Sequence, residues 1–168
     1  ALSIGVGTGR FAGPLGIKHG IDPSEKMLEK AKKYNIETKL GFAENLPYED
    51  EKFSTCLFVT TFCYIKNPRK AIEEAFRVLK MEGTICIGII DKDSVWGEVY
   101  IERIKDSNYY KNANFISVDE IISMLLDSGF SRIKTFQTLC QNPFMITKSE
   151  DYKSGHGTGA FSAIVAKK

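Results

Sequence analysis

The sequence has 168 residues, a length typical of one domain, of which 43% are hydrophobic and 26% charged. This composition is that of an ordinary globular protein, and no apolar run approaches the roughly 20 residues needed to cross a bilayer, which excludes a membrane span. The 23 basic and 21 acidic residues are mixed along the chain, without the basic face that nucleic-acid binding requires. We therefore expect a small-molecule partner, and the sequence leaves the oligomeric state open.

The predicted elements alternate between strands and helices along the chain. Strands are expected over residues 1–6, 18–22, 37–42, 53–60, 84–90, 130–139 and 160–166. Helices are expected over 24–34 with Ser24 as cap, over 67–79 with Gly83 as the stop, over 94–106, and over 117–128 with a capping box. Only a distorted turn fits residues 10–15, and 108–115 and the connection of about twenty residues before the last strand are expected to be loops.

The four cysteines indicate the compartment. Cys56, Cys63, Cys86 and Cys140 show no C-x-x-C spacing, and most lie in apolar stretches. We expect buried free thiols rather than a metal site, and a reducing cytoplasm as the location. Because the chain opens directly on a predicted strand, we expect a single domain over residues 1–168 that lacks some N-terminal residues.

This alternation predicts an α/β fold, doubly wound and Rossmann-like, with a mostly parallel seven-stranded sheet. Helices would cover both faces of the sheet, and ligands would bind at the carboxyl ends of the strands.

A glycine-rich turn and an acidic residue fall at that edge. Gly5, Gly7 and Gly9 follow the first predicted strand, where missing side chains let the backbone approach a ligand. Asp22 ends the next strand, 17 residues after Gly5, where a carboxylate can accept hydrogen bonds from both hydroxyls of a ribose. The alternative interpretations are that the glycines form a flexible loop and that Asp22 caps a helix.

Two known phosphate-binding motifs do not match the sequence. A dinucleotide fingerprint would need a third glycine where the chain has Arg10 or Ala12, and a Walker A loop would need a following Gly-Lys-Ser/Thr. A nicotinamide-dependent oxidoreductase is therefore the disfavoured alternative.

Several motifs together resemble the class I S-adenosylmethionine-dependent methyltransferases, in particular the group that includes the ubiquinone and menaquinone biosynthesis enzymes. These motifs are Ile4-Gly5-Val6-Gly7-Thr8-Gly9-Arg10-Phe11, Gly20-Ile21-Asp22-Pro23-Ser24 with Met27, Ala43-Glu44-Asn45-Leu46-Pro47-Tyr48, the strand from Phe53 to Ile65, and Arg77-Val78-Leu79-Lys80 with Gly83. The resemblance implies an antiparallel last strand and S-adenosylmethionine as cofactor.

The resemblance also implies a set of cofactor-binding residues. The turn Gly5, Val6, Gly7, Thr8 and Gly9 would contact the methionine part, Asp22 with Pro23 and Met27 the ribose side, Ala43 and Glu44 the adenine, and Thr60, Thr61 and Phe62, with Tyr64, the region of the methyl group. Two positions depart from the family: Ser3 stands where an acidic residue is usual, and Phe42 where many members have an Asp.

The acceptor side is less constrained by the sequence. An oxygen or nitrogen acceptor can need a base to remove its proton. His156 in the long last loop is the candidate catalytic residue. The alternative is that His156 is only a polar residue of a turn. His19 is expected at the opposite edge of the sheet. Trp96, Tyr109 and Tyr110 are candidates for the acceptor pocket or, equally, for the core.

The sequence therefore predicts a methyltransferase that methylates a small molecule, with no metal. The alternatives are the oxidoreductase and a non-catalytic protein that only binds the cofactor, which the departures at Ser3 and Phe42 motivate.

Overall fold

A computed structural model describes all 168 residues, and they form one eight-stranded sheet with helices on its faces. The strands are β1 Leu2–Ile4, β2 His19–Asp22, β3 Glu37–Leu40, β4 Phe53–Val59, β5 Leu79–Ile90, β6 Ser131–Thr138, β7 Lys153–Ser154 and β8 Phe161–Lys167. The helices are α1 Glu25–Ala31, α2 Pro68–Val78, α3 Val95–Ile104 and α4 Val118–Asp127, with 3-10 turns at Lys32–Tyr34 and Phe62–Tyr64.

The sheet has the order β3-β2-β1-β4-β5-β8-β6-β7. The five strands from β3 to β5 pair in parallel, whereas β8 is antiparallel to both β5 and β6. The predicted doubly wound fold with an antiparallel last strand is confirmed. An eighth strand arises because the two-residue β7, inside the predicted long loop, pairs with the edge of β6.

Two apolar clusters bury the faces of the sheet. The larger lies between the central strands and α2 and α4, with Ile85 and Ile87 of β5 and Ile72 of α2 almost completely buried. The smaller lies under the glycine turn, where Val6 packs with Leu28 of α1. Such two-sided burial explains why β5 is almost entirely apolar in its second half.

One predicted boundary and one predicted cap bond were wrong. α2 ends at Val78 and not near Gly83, because Leu79 already has an extended backbone and pairs with Phe53 of β4. Ser24 precedes α1 but its side chain caps nothing. The capping box of Ser117 and Glu120 at α4 is present as predicted.

The cysteines are free thiols as predicted, but Cys86 and Cys140 are only partly buried. All four cysteines are unpaired, Cys56 and Cys63 are buried, and no group of metal-ligating side chains occurs. None of the helices combines the length and the apolar character that a membrane crossing needs.

Candidate functional site

A cleft of about 700 Å³ lies at the carboxyl ends of β1, β2 and β4. Its volume is in the range of small-molecule sites, roughly 300–1,000 Å³. Its lining includes most of the predicted site residues, which are Gly5, Val6, Gly7, Thr8, Asp22, Pro23, Met27, Ala43, Glu44, Thr60 and Thr61. The sheet edge thus brings together residues from four separate predicted motifs.

The glycine turn forms the floor of the cleft. Gly5 has a φ of +68° and Gly7 a φ of +54°, a conformation that favours glycine. A Cβ on Gly5 would overlap the side chain of Thr61, whereas a Cβ on Gly7 would meet no atom within 4 Å. Gly5 is therefore required by packing inside the protein, and Gly7 leaves its backbone open to the cleft.

Asp22 holds this turn in place. Its Oδ2 accepts the Gly7 N–H at 2.9 Å, and its Oδ1 accepts the Ser24 N–H at 2.9 Å. An ionised carboxylate has about four acceptor sites, so two remain for a ligand. Asp22 therefore ties the glycine turn to the residue that precedes α1.

Two predicted cofactor residues do not line the cleft. Gly9 is buried below the turn, where a Cβ would come within 3.0 Å of Tyr34 and Ile36. Phe62 is 1% exposed and packs on Phe58 with ring centroids 4.9 Å apart. Both residues are buried behind the cleft lining and do not face the cleft.

The cleft side after β3 is formed by Gly41, Phe42, Ala43 and Glu44. Phe42 is 62% exposed and offers an apolar face to the cleft. The Oε1 of Glu44 accepts the N–H groups of Lys66 and Asn67 at 3.1 and 3.3 Å. Glu44 thereby fastens this side to the segment that follows β4.

Three tyrosines form a further part of the lining, here called the tyrosine wall: Tyr64, Tyr109 and Tyr110. Tyr64 donates its hydroxyl to the Tyr109 carbonyl at 2.7 Å and stacks on Tyr110 with ring planes 16° apart. Burial raises the pKa of Tyr64 to about 12 and also raises the pKa of Tyr110. The predicted acceptor residues Tyr109 and Tyr110 thus reach the cleft, whereas Trp96 does not.

The backbone at the end of β4 is unusual. Thr60 is β-branched and yet has a φ of +52°, which is rare for such a residue and occurs mainly at functional sites. The turn that it makes lets Thr61 pack under Gly5, with the Thr61 hydroxyl 3.3 Å from the Gly5 carbonyl.

His156 lies outside the cleft lining. Its Nδ1 is 3.1 Å from the Thr135 hydroxyl of β6, and its Nε2 is 3.2 Å from Asp119 at the start of α4. Both ring nitrogens therefore have protein partners, and the structure does not place this predicted base beside the cleft. His19 lies at the other edge of the sheet, as expected, next to Glu37.

Several cleft residues did not appear in the predicted set of cofactor-binding residues. Arg10 and Phe11 after the glycine turn, and also Lys66 and Asn108, line the cleft. Arg10 and Phe11 were visible in the glycine motif itself. Lys66 and Asn108 carried no sequence signal, because their approach depends on loops that meet only in the fold.

The fold and the cleft together define a class: doubly wound α/β proteins that bind a ribose-bearing cofactor at the carboxyl edge of the sheet. Residues 2–87, more than half of the chain, match the family described as Methyltransferase domain. The chain therefore belongs to the S-adenosylmethionine-dependent methyltransferase family, and its cofactor is S-adenosylmethionine.

Individual relatives agree with this membership. The chain is 47% identical to an uncharacterized protein of Methanocaldococcus jannaschii, over 99% of this chain and 81% of that protein. It is 32% identical to an uncharacterized protein of Mycobacterium tuberculosis, over 97% of this chain, and spans 59% of that protein's length.

A solved structure from Thermotoga maritima is also similar. It superposes with a TM-score of 0.93 at 44% identity, covering 99% of this chain and 81% of that chain. That protein is described as an S-adenosylmethionine-dependent methyltransferase and a possible histamine N-methyltransferase.

Proposed function

We propose that this chain catalyses transfer of the methyl group of S-adenosylmethionine to a small-molecule acceptor. The observation that carries the proposal is the junction of Asp22 with the glycine turn, because a half-buried carboxylate with free acceptor sites faces the cleft beside an open Gly7 backbone. This donor and acceptor set fits a ligand that has both a ribose and an amino-acid group.

The cofactor contacts would be divided along the cleft. In this proposal the turn from Gly5 to Thr8 contacts the methionine part, Asp22 with Pro23 and Met27 contacts the ribose, and Ala43 and Glu44 contact the adenine. When bound, the cofactor supplies an electrophilic methyl group on a positively charged sulfur. Gly9 and Phe62 act as supports of the turn and of the strand end.

The acceptor would occupy the part of the cleft between Thr60 and the tyrosine wall. The cleft would have room beside the cofactor, and aromatic side chains line it. Such a site suits a compact molecule with apolar surface. A small acceptor is in line with the description of the Thermotoga maritima protein. The main contribution of the protein to the rate would be the positioning of the two reactants.

The cofactor part of the proposal is tested by calorimetric titration with S-adenosylhomocysteine and, separately, with NAD. We expect binding of the first and none of the second, and the reverse result would favour the oxidoreductase. Asp22→Asn should weaken S-adenosylhomocysteine binding by roughly tenfold or more, because one of the backbone N–H groups would face an amide donor instead of an acceptor. The matched control, Asp106→Asn, changes an exposed carboxylate outside the cleft and should have no effect.

The catalytic part needs a separate measurement. The protein and S-adenosylmethionine are incubated with a metabolite extract, and methylated products are sought by mass spectrometry. Cofactor binding without any product above the Asp22→Asn background would support the alternative of a non-catalytic binding protein.

A further inference from the structure

We propose that residues 98–116 form a lid on the cleft, which Tyr64 latches closed and which opens to admit and release the ligand. The lid goes beyond the proposed function and rests on it only for the identity of the ligand.

The two ends of this segment are fixed at one buried residue, Asp91, which directly follows β5. The Asp91 carbonyl accepts the Ser94 hydroxyl at 2.9 Å just before α3, and its Oδ1 accepts the Val118 N–H at 3.3 Å at the start of α4. All three residues are at most 2% exposed. A Cβ on Gly97 would overlap the Asp91 carbonyl, so the first turn of α3 is also held close to this point. Both ends of the lid are therefore firmly attached.

Between its ends the segment has no buried anchor. No residue from 98 to 116 is buried, although the segment includes most of α3 and all of the irregular stretch 105–115. Tyr100 of α3 stacks on Phe144, but Phe144 is itself 39% exposed and lies in the irregular segment 140–152. Segments with few buried apolar contacts open locally at a low free-energy cost.

The middle of the segment reaches the cleft. Asn108, Tyr109 and Tyr110 line it together with the glycine turn and Asp22. A ligand that fills the cleft would therefore contact both the lid and the body of the protein, and would hold the two together.

Tyr64 supplies the latch from the body side. It ends the 3-10 turn Phe62–Tyr64, whose first two residues are buried, so its main chain is held in place. Its hydroxyl donates to the Tyr109 carbonyl at 2.7 Å, and its ring stacks on Tyr110. A second bond, from the Asn114 N–H to the Cys63 carbonyl at 2.7 Å, lies farther along the lid.

The packing beneath the lid is incomplete. An apolar cavity of about 10 Å³ separates Phe115 and Ile116 of the lid from Cys63 and from Ile89 and Ile90 at the end of β5. The atoms that line such a gap lose contacts that close packing would give them. Less packing therefore holds the lid on the strand ends, and the Tyr64 latch becomes more important.

Cys63 is a native reporter of opening. It is 9% exposed beneath Phe115 and Ile116, and burial raises the pKa of its thiol to about 11. Iodoacetamide reacts with thiolates, so it should reach Cys63 only when the lid is open. Cys56 of β4 is completely buried in the core and should react only through global unfolding.

The first test measures alkylation of both cysteines in the unmodified full chain by site-resolved mass spectrometry at pH 8. Without ligand, Cys63 should react roughly tenfold or more faster than Cys56, because local opening costs less than global unfolding. S-Adenosylhomocysteine at about ten times its Kd should slow the reaction of Cys63 roughly tenfold, as for a ligand that binds only the closed form. These two comparisons need no variant.

Variants without ligand then assign the latch. Tyr64→Phe keeps the ring and removes the hydroxyl, and should speed the reaction of Cys63 about fivefold, the effect of one hydrogen bond. The matched control Tyr109→Phe should leave this rate unchanged, because the latch uses the main-chain carbonyl of Tyr109. Glu74→Gln, which weakens α2 outside the lid, should speed the reaction of Cys56 and not that of Cys63.

Four results would each overturn the proposal: equal rates for Cys63 and Cys56 in the unmodified chain, no acceleration of Cys63 by Tyr64→Phe, acceleration of Cys63 by Glu74→Gln, or bound S-adenosylhomocysteine that leaves Cys63 unaffected. Failure of S-adenosylhomocysteine to bind the unmodified chain would instead overturn the proposed function, and the measurements without ligand would still test the lid.

Discussion

Gly5 and Gly16 have nearly the same backbone conformation, with φ values of +68° and +67°, but different surroundings. A Cβ on Gly5 would overlap Thr61, whereas a Cβ on Gly16 would meet no atom within 4 Å. A comparison of these two glycines therefore separates the cost of a left-handed backbone, which both share, from the cost of close packing, which only Gly5 has. The sequence marked Gly5 by its motif, but only the fold showed that Thr61 is its neighbour.

Gly5→Ala should lower the free energy of unfolding by about 3 kcal/mol, from overpacking added to the left-handed conformation, and should abolish S-adenosylhomocysteine binding. Gly16→Ala should cost only about 1 kcal/mol and leave binding intact. Urea unfolding and calorimetric titration measure the two quantities. Equal destabilisation of the two variants would show that Thr61 moves away without cost.

At the scale of elements, α2 holds the loop that forms one side of the cleft. The Oε2 of Glu74 accepts the Leu46 N–H at 2.8 Å, and Arg77 donates to the carbonyls of Leu46 and Tyr48 at 3.0 and 2.8 Å. Glu74 is only 7% exposed and pairs with Arg77 at 2.8 Å. The Glu74–Arg77 pair therefore ties residues 46–48, just after this side of the cleft, to α2.

The same pair predicts a pH dependence of stability. The Arg77 hydrogen bond lowers the pKa of Glu74, with further help from the Leu46 N–H. Because the folded pKa lies below the unfolded value of about 4.3, the ionised carboxylate stabilises the fold above that pH, and its contribution is lost as the pH falls through the folded pKa. Glu74→Gln should therefore lower the free energy of unfolding by about 2 kcal/mol at pH 7 and by less at pH 3.

Urea unfolding of both proteins at pH 7, 5 and 3 measures this difference. The control Glu73→Gln removes an exposed carboxylate paired with Lys70 at 3.3 Å and should change stability by less than about 0.5 kcal/mol. A Glu74→Gln difference that stays constant over this pH range would contradict the role of the charge.

On the scale of the whole molecule, the most extensive strand pairing lies in the centre of the sheet. β5 lies between β4 and β8 and pairs with β8 over seven residues, from Thr84 to Ile90. The segments 105–115 and 140–152 have no helix or strand, and many of their side chains are exposed. The tyrosine wall therefore combines Tyr64, which follows a central strand, with residues of an irregular segment.

Native-state hydrogen exchange should reflect this arrangement. Amides of β4, β5 and β8 should exchange only through global unfolding, whereas those of 105–115 and 140–152 should exchange through local opening with much lower free energies. Mass-spectrometric exchange of peptides covering these ranges measures both. Protection of 105–115 equal to that of β5 would show that the tyrosine wall is part of the rigid core.

The sequence by itself determined the family, the cofactor and the parallel sheet. The glycine turn and the capping box of α4 carry local signals, because backbone conformation and neighbours a few residues away favour particular residue types there. Its error at the end of α2 arose where a distant partner decided the outcome, because Leu79 pairs with Phe53.

The tertiary structure alone decided the acceptor side of the cleft. His156 contacts Asp119 and Thr135, which are 37 and 21 residues away in the chain. Tyr64 bonds to Tyr109 across 45 residues. Side chains from such separate segments meet only when the sheet has formed, because their positions depend on packing and not on spacing. For this reason the sequence identified the cofactor, and the fold was needed to bring the three tyrosines together in the cleft lining.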